Sequence, residues 1–219
     1  MKFRFGFAAM ALIWTAGAST IGFAETVLVG RFSGASLAGW ETRAFKGETR
    51  YSFVFDPDIH ATVLAGEANN SASGVYRKIR VDLAKQPFLN WSWKVTSDFP
   101  GVDENTKGGD DFPARIYVVI ERGVMGLSSL SLNYVWASQH PVGSLWPSPF
   151  TSQVKLLALD SGEASLGKWV HHKRDLRLDL KAAFAQDIPA IDAVALMTDT
   201  DNHGGPAKSF YGDIWFSAE

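Results

Sequence analysis

The feature that most constrains this chain is strict two-residue alternation in Phe88-Leu89-Asn90-Trp91-Ser92-Trp93-Lys94-Val95. Trp91, Trp93 and Val95 share one side, and Asn90, Ser92 and Lys94 share the other. Side chains alternate across a strand with period two, so the segment reads as a half-buried β-strand. Ala114–Glu121 repeats the pattern, with Ile116, Val118 and Ile120 on one side. Further strands are expected at 26–29, 40–45, 50–55, 62–65, 74–79, 131–137, 154–160, 169–176, 191–197 and 211–216. Gly, Pro, Asn and Asp punctuate them, as turns require. The prolines at 141, 147 and 149 remove ladder donors and exclude a central strand there. One helix is expected at Leu178–Gln186, where Leu180, Ala183 and Phe184 recur at helical spacing before Pro189. Many strands against one short helix predict a mainly β chain, a β-sandwich or jelly roll.

The first 24 residues form a separate class. Lys2 and Arg4 precede an apolar run from Phe5 to Trp14, and Gly22-Phe23-Ala24 places small side chains at the -3 and -1 positions of a cleavage after Ala24. This is the pattern of a secretory signal peptide. The run is shorter than the roughly 20 apolar residues of a spanning helix. The expectation is therefore a periplasmic or secreted protein with no stable membrane insertion after signal cleavage, and residues 25–219 as one domain. Without Lys2 and Arg4 the 21 basic residues fall to 19 against 23 acidic ones, a formal charge of -4. That balance predicts no nucleic-acid partner. The chain has no cysteine, which excludes disulfides, a thiol nucleophile and thiolate metal ligation.

Chemistry is expected in two polar loops. Lys107-Gly108-Gly109-Asp110-Asp111-Phe112-Pro113-Ala114-Arg115 puts carboxylates beside an arginine, a set suited to orienting a sugar hydroxyl or to acid–base work. Thr198-Asp199-Thr200-Asp201-Asn202-His203-Gly204-Gly205 offers hard oxygens at alternate positions. Calcium is the cation such donors would take, although the EF-hand length and terminal Glu are missing; Asx-turns explain the same residues. No other cofactor is indicated, and isolated histidines give zinc little support. Trp136 and Trp146 are candidate sugar-stacking platforms, Trp146 as the exposed one in its loop. Trp91, Trp93 and Trp215 are expected in the core. The candidate ligand-binding set is Asp111, Arg115, Trp136, Trp146, Asp199, Asp201, Asn202 and His203. No catalytic residue is assigned. A serine hydrolase is disfavoured, since the Gly-x-Ser-x-Gly elbow is absent.

Several phrases together carry a resemblance: Phe45-Lys46-Gly47-Glu48-Thr49-Arg50-Tyr51, Leu89-Asn90-Trp91-Ser92-Trp93, Asp110-Asp111-Phe112-Pro113-Ala114-Arg115, Tyr134-Val135-Trp136-Ala137 and Ala195-Leu196-Met197-Thr198-Asp199-Thr200-Asp201-Asn202. The chain resembles the bacterial DUF3047 family of uncharacterised exported proteins. The resemblance implies a fold similar to galactose-binding-like jelly rolls and carries over no catalytic residues. Three functions stay open: binding of a carbohydrate or other polar envelope ligand, glycan cleavage by a hydrolase or lyase using the loop carboxylates, and a structural or interaction role in the envelope.

Overall fold

A computed structural model describes residues 26–123 and 128–219. The signal-peptide reading at 1–24 lies outside the described residues. The strands are β1 Val27–Gly30, β2 Glu41–Lys46, β3 Arg50–Asp56, β4 Ala61–Asn69, β5 Ala72–Asp82, β6 Phe88–Val95, β7 Arg115–Ile120, β8 Leu130–Ala137, β9 Leu145–Ser148, β10 Thr151–Ser161, β11 Trp169–Asp175, β12 Ala190–Asp199, β13 Pro206–Tyr211 and β14 Ile214–Ser217. One helix, α1, spans Leu176–Phe184.

The strands form two seven-stranded sheets stacked as a sandwich. In the first, β6 pairs along its length with β11; on its other side β14 pairs with its beginning and β13 with its end. β1 extends β14, and β4 then β3 extend β13. The second sheet runs β2-β5-β12-β7-β8-β10-β9, antiparallel except for the β8–β10 pair. β9, which carries Pro147, is an edge strand, where the missing N–H removes nothing from an inner ladder.

The alternation seen in the sequence faces one shared core. Trp91, Trp93 and Val95 meet Ile116, Val118, Tyr134, Trp136, Val194 and Leu196 in a single buried cluster. Trp91 packs against Tyr134 at 5.1 Å between ring centroids and edge-on against Trp93 at 5.6 Å. Each fully buried side chain of this size contributes on the order of 2–3 kcal/mol of transfer free energy. That supply replaces the covalent staples the chain lacks.

Two expectations are corrected. The helix starts at Leu176 because Asp175 caps it, its carboxylate accepting from the Arg177 N–H at 3.0 Å. It stops at Phe184 because Ala185 turns left-handed, φ 55°, and its N–H bonds to the Lys181 carbonyl. The expected strand at 211–216 is two strands. The chain breaks at Gly212, whose N–H reaches the Ser92 carbonyl at 2.9 Å; a Cβ there would fall 2.3 Å from Ser92 Oγ. Glycine allows that approach without turning the Ser92 hydroxyl aside.

Candidate functional site

Arg115 opens β7, and Asp199 closes the neighbouring β12. Ile116, Val118 and Ile120 face the core, so Arg115, Tyr117, Val119 and Glu121 face outward on the second sheet. The loops at 107–115 and 198–205 converge over this end of the face. Arg115 Nε donates to Asp199 Oδ1 at 2.9 Å, Nη2 donates to Asp199 Oδ2, and Nη1 donates to Asp110 Oδ1 at 3.3 Å. The guanidinium lies 4.4 Å above the Phe112 ring centroid. Asp199 and Arg115 are 1% and 4% exposed, so the pair is removed from solvent.

Asp111 is held by a different set of donors. Its Oδ2 accepts from the Asn202 N–H at 2.9 Å, the His203 N–H at 2.7 Å and His203 Nδ1 at 2.8 Å; its Oδ1 accepts from Asn202 Nδ2 at 2.9 Å. Burial pushes this carboxyl up, but the bonds from His203 and Asn202 outweigh it and hold the pKa below the usual aspartate value. At Asp199 burial prevails instead and pushes the carboxyl up to about 7, against the pull of Arg115. Arg115, despite its burial, is kept charged by Asp199. Burial and the Asp111 charge also raise Asp201.

Carboxylate oxygens of Asp111, Asp199 and Asp201 come within 4.8 Å of one another. Cation binding there would compete with donors already in place: Asp199 accepts from Arg115, and Asp111 accepts four bonds from Asn202 and His203. The donor set fits a locked loop closure better than an oxygen cage for calcium, which takes six to eight oxygens.

Trp136 and Trp146 do not serve as stacking platforms. Trp136 is 0% exposed on the core side of β8, and its Nε1 donates to the Gly162 carbonyl at 3.1 Å. Trp146, expected in the open, is 6% exposed. It belongs to a second small cluster with Phe112, Val135, Leu156 and Ala158, and its ring stacks on His140 at 3.9 Å. Edge strand β9 folds this tryptophan onto the outer face of the second sheet, which local loop composition does not reveal.

Beyond Arg115 the same outer face opens. Tyr76 on β5 and Tyr117 on β7 both pair in register with Ala195 on β12 between them. The two tyrosines therefore stand two strand spacings apart, about 10 Å, with a methyl group as the floor. Gly74 and Ala193 continue that low floor, while Phe45, Arg43, Lys78 and Glu121 rise around it. Together they line a groove of about 340 Å³. Both tyrosines are half-buried, whereas Phe45 is 64% exposed with the Arg43 guanidinium 5.1 Å from its ring. The Tyr76 hydroxyl donates to Glu41 Oε2 on the neighbouring edge strand. The sequence signal for this groove is the outward half of the β7 alternation, of which only Arg115 belongs to the candidate set and Tyr117, Val119 and Glu121 do not.

Among the described residues no helix is long and apolar enough to cross a membrane. The family described as "Protein of unknown function (DUF3047)" matches residues 38–215. No curated protein matches the chain. Among solved structures it is similar to a family 11 carbohydrate-binding module from Clostridium thermocellum in complex with a β-1,3-1,4-mixed-linked tetrasaccharide. That likeness has 10% identity over 89% of this chain and 96% of the module, with a TM-score of 0.46. It is also similar to the family 30 carbohydrate-binding module of the Clostridium thermocellum cellulosomal cellulase Cel9D-Cel44B, at 13% identity, 89% and 98% coverage and a TM-score of 0.48.

Proposed function

The chain belongs to the DUF3047 family, and from that premise we propose that it is a carbohydrate-binding protein of the periplasm or cell exterior, holding a glycan in the outer-face groove of its second sheet. The observation that carries this reading is the row Tyr76–Ala195–Tyr117, two aromatic walls over a methyl floor. A pyranose presents an apolar C–H face and a rim of hydroxyls. The rings suit the first, and Arg43, Lys78 and Glu121 supply donors and an acceptor for the second. The buried cluster at Asp111, Arg115 and Asp199 fixes the ends of β7 and β12 beside the groove; neither it nor Asp201, Asn202 and His203 is among the residues that line the groove.

Binding is favoured over cleavage by the placement of carboxylates. Glycoside hydrolysis uses two acids facing one bond. The groove lining contains one, Glu121, and the carboxylates of the loop cluster are engaged with Arg115, Asn202 and His203.

A glycan array of the purified protein, followed by calorimetry on the strongest ligand, tests the reading. The expected result is binding that Tyr117→Ala weakens about tenfold, a loss of ~1.4 kcal/mol. Absence of binding across envelope and common polysaccharides, or a ligand indifferent to Tyr117→Ala, overturns it.

A further inference from the structure

A second cavity, of about 550 Å³, lies away from the groove and shares no lining residue with it. Its wall is the segment after β1 together with one residue of β5: Arg31, Gly34, Ser36, Ala38, Trp40 and Arg77. Two guanidinium groups and an indole therefore border one cavity, and none of the lining residues is acidic. Among the described residues the Arg31 guanidinium has no hydrogen-bond partner, and its chain is exposed. Arg77 is half-buried and anchored, Nη1 donating to the Val29 carbonyl, which leaves further N–H groups of its fork unused. Ser36 Oγ accepts from the Ala38 N–H at 3.2 Å, so its own O–H is free to donate.

Gly34 and Gly39, the latter at φ +78°, bring the backbone close to the two arginines: a Cβ at Gly34 would fall 3.4 Å from Arg31 Cγ and one at Gly39 3.6 Å from Arg77 Nε, both ordinary contact distances. Trp40 is fixed by Phe32, which is itself fully buried, with ring centroids 5.5 Å apart. The indole is thus a held surface, half-buried in the core and half available to the cavity.

We propose that this cavity is an anion-binding site that takes an oxyanion, a phosphate ester or a carboxylate, carried on a ring that packs against Trp40. Planar guanidinium forks match the paired oxygens of both groups, and two of them without a competing carboxylate select charge as well as shape. Sugar phosphates and uronic acids are ligands of this class. The site extends beyond the glycan groove, because its chemistry selects an anion and its residues are separate.

Calorimetry of the full chain at low ionic strength tests the proposal, with glucose 6-phosphate, glucuronate, inorganic phosphate and neutral glucose as ligands. One or both anionic sugars bind and glucose does not. Heat from glucose 6-phosphate alone assigns a phosphate ester, and heat from glucuronate alone a carboxylate. Arg31→Ala weakens the bound sugar at least tenfold, Arg31→Lys recovers part of the loss, and Arg50→Ala, a cation on another surface, leaves it unchanged. Arg31 is exposed, so the variant folds, and its circular dichroism confirms that. Equal affinity in wild type and Arg31→Ala, equal heat from glucose, a matching loss in Arg50→Ala, or no heat from either anionic sugar overturns the proposal. Heat from inorganic phosphate alone also overturns it, since the ring on Trp40 would then contribute nothing.

Discussion

Arg115 and Tyr117 stand two residues apart on β7 and point to the same side of the sheet, yet they sit in opposite kinds of region. Around Arg115 every charge has a partner: Asp199 and Asp110 surround the guanidinium, and Asn202 and His203 surround Asp111. Around Tyr117 the floor is alanine, and among the described residues neither of the exposed flanking cations, Arg43 and Lys78, is paired with a carboxylate. A buried network whose charges are all paired rigidifies a fold. Half-buried rings beside unpaired charges leave interactions for a ligand to complete. Density of polar residues in a sequence therefore marks the first kind of region more readily than the second.

The sharpest way to break this contrast is to remove one partner from the closed region. Arg115→Met leaves Asp199 buried without its cation and is expected to lower unfolding free energy by about 3–5 kcal/mol in urea. The double variant Arg115→Met with Asp199→Leu recovers most of that loss, because it leaves no buried charge unpaired. A single-variant cost near that of an ordinary surface substitution would mean that the cluster is open to solvent and available for chemistry.

The same truncation in the open region should behave in reverse. Tyr76→Ala removes one wall of the groove, with a loss of about 1–1.5 kcal/mol in glycan affinity and a small change in thermal midpoint. Tyr76→Phe keeps the wall and separates stacking from the hydroxyl bond to Glu41. If Tyr76→Ala unfolded the protein as readily as Arg115→Met, the two regions would not differ in kind.

A smaller effect is read from pH. Asp111 has its folded pKa below the unfolded value of 3.8, so it stabilises the fold above that pH. The contribution fades as pH falls through the folded pKa, where protonation breaks the bonds from Asn202 and His203. The Asp111 charge is also one of the causes that raise Asp199 to about 7, so wild type minus Asp111→Asn is read below pH 5, where the folded Asp199 is already largely protonated. There the difference in unfolding free energy should shrink as pH falls below about 3.8. A difference that stayed level as pH fell below about 3.8 would assign the dependence to another group.

Much of the fold was legible because burial on one side of a strand writes itself into alternation. The run from Phe88 to Val95 and the run from Ile116 to Ile120 both lie where the pattern placed them, although Asn90, Ser92 and Lys94 on the polar side of the first are buried as well, and Pro147, read as excluding a central strand, lies on the edge strand β9. The break at Gly212 was not legible, because it depends on Ser92, a residue 120 positions earlier in the chain. The convergence of Asp111 with Asn202 and His203 was likewise a contact across more than 90 residues; composition suggested the groups and gave no account of their mutual satisfaction. Trp146 illustrates the limit most plainly. Its neighbours Leu145 and Pro147 read as an exposed loop, and only the pairing of Trp146 with Leu156 on β10 turns the ring inward.

The smallest expected effect is also the one that most sharpens the contrast. Asp111, Asp199 and Asp201 bring oxygens within 4.8 Å of one another, which on distance alone invites a calcium ion. A resident cation binding only the folded state would stabilise it by RT ln(1 + [Ca²⁺]/Kd), ~2.7 kcal/mol at a hundredfold excess over Kd. For a calcium ion to enter, Asp199 must release Arg115 or Asp111 must release the N–H groups of Asn202 and His203, and each loss offsets the gain. Millimolar calcium, or its removal with a chelator, is therefore expected to leave the thermal midpoint unchanged to within a degree. A calcium-dependent rise that disappears in Asp201→Asn would show the loops exchanging internal donors for a metal, and would turn the closed region into the binding site.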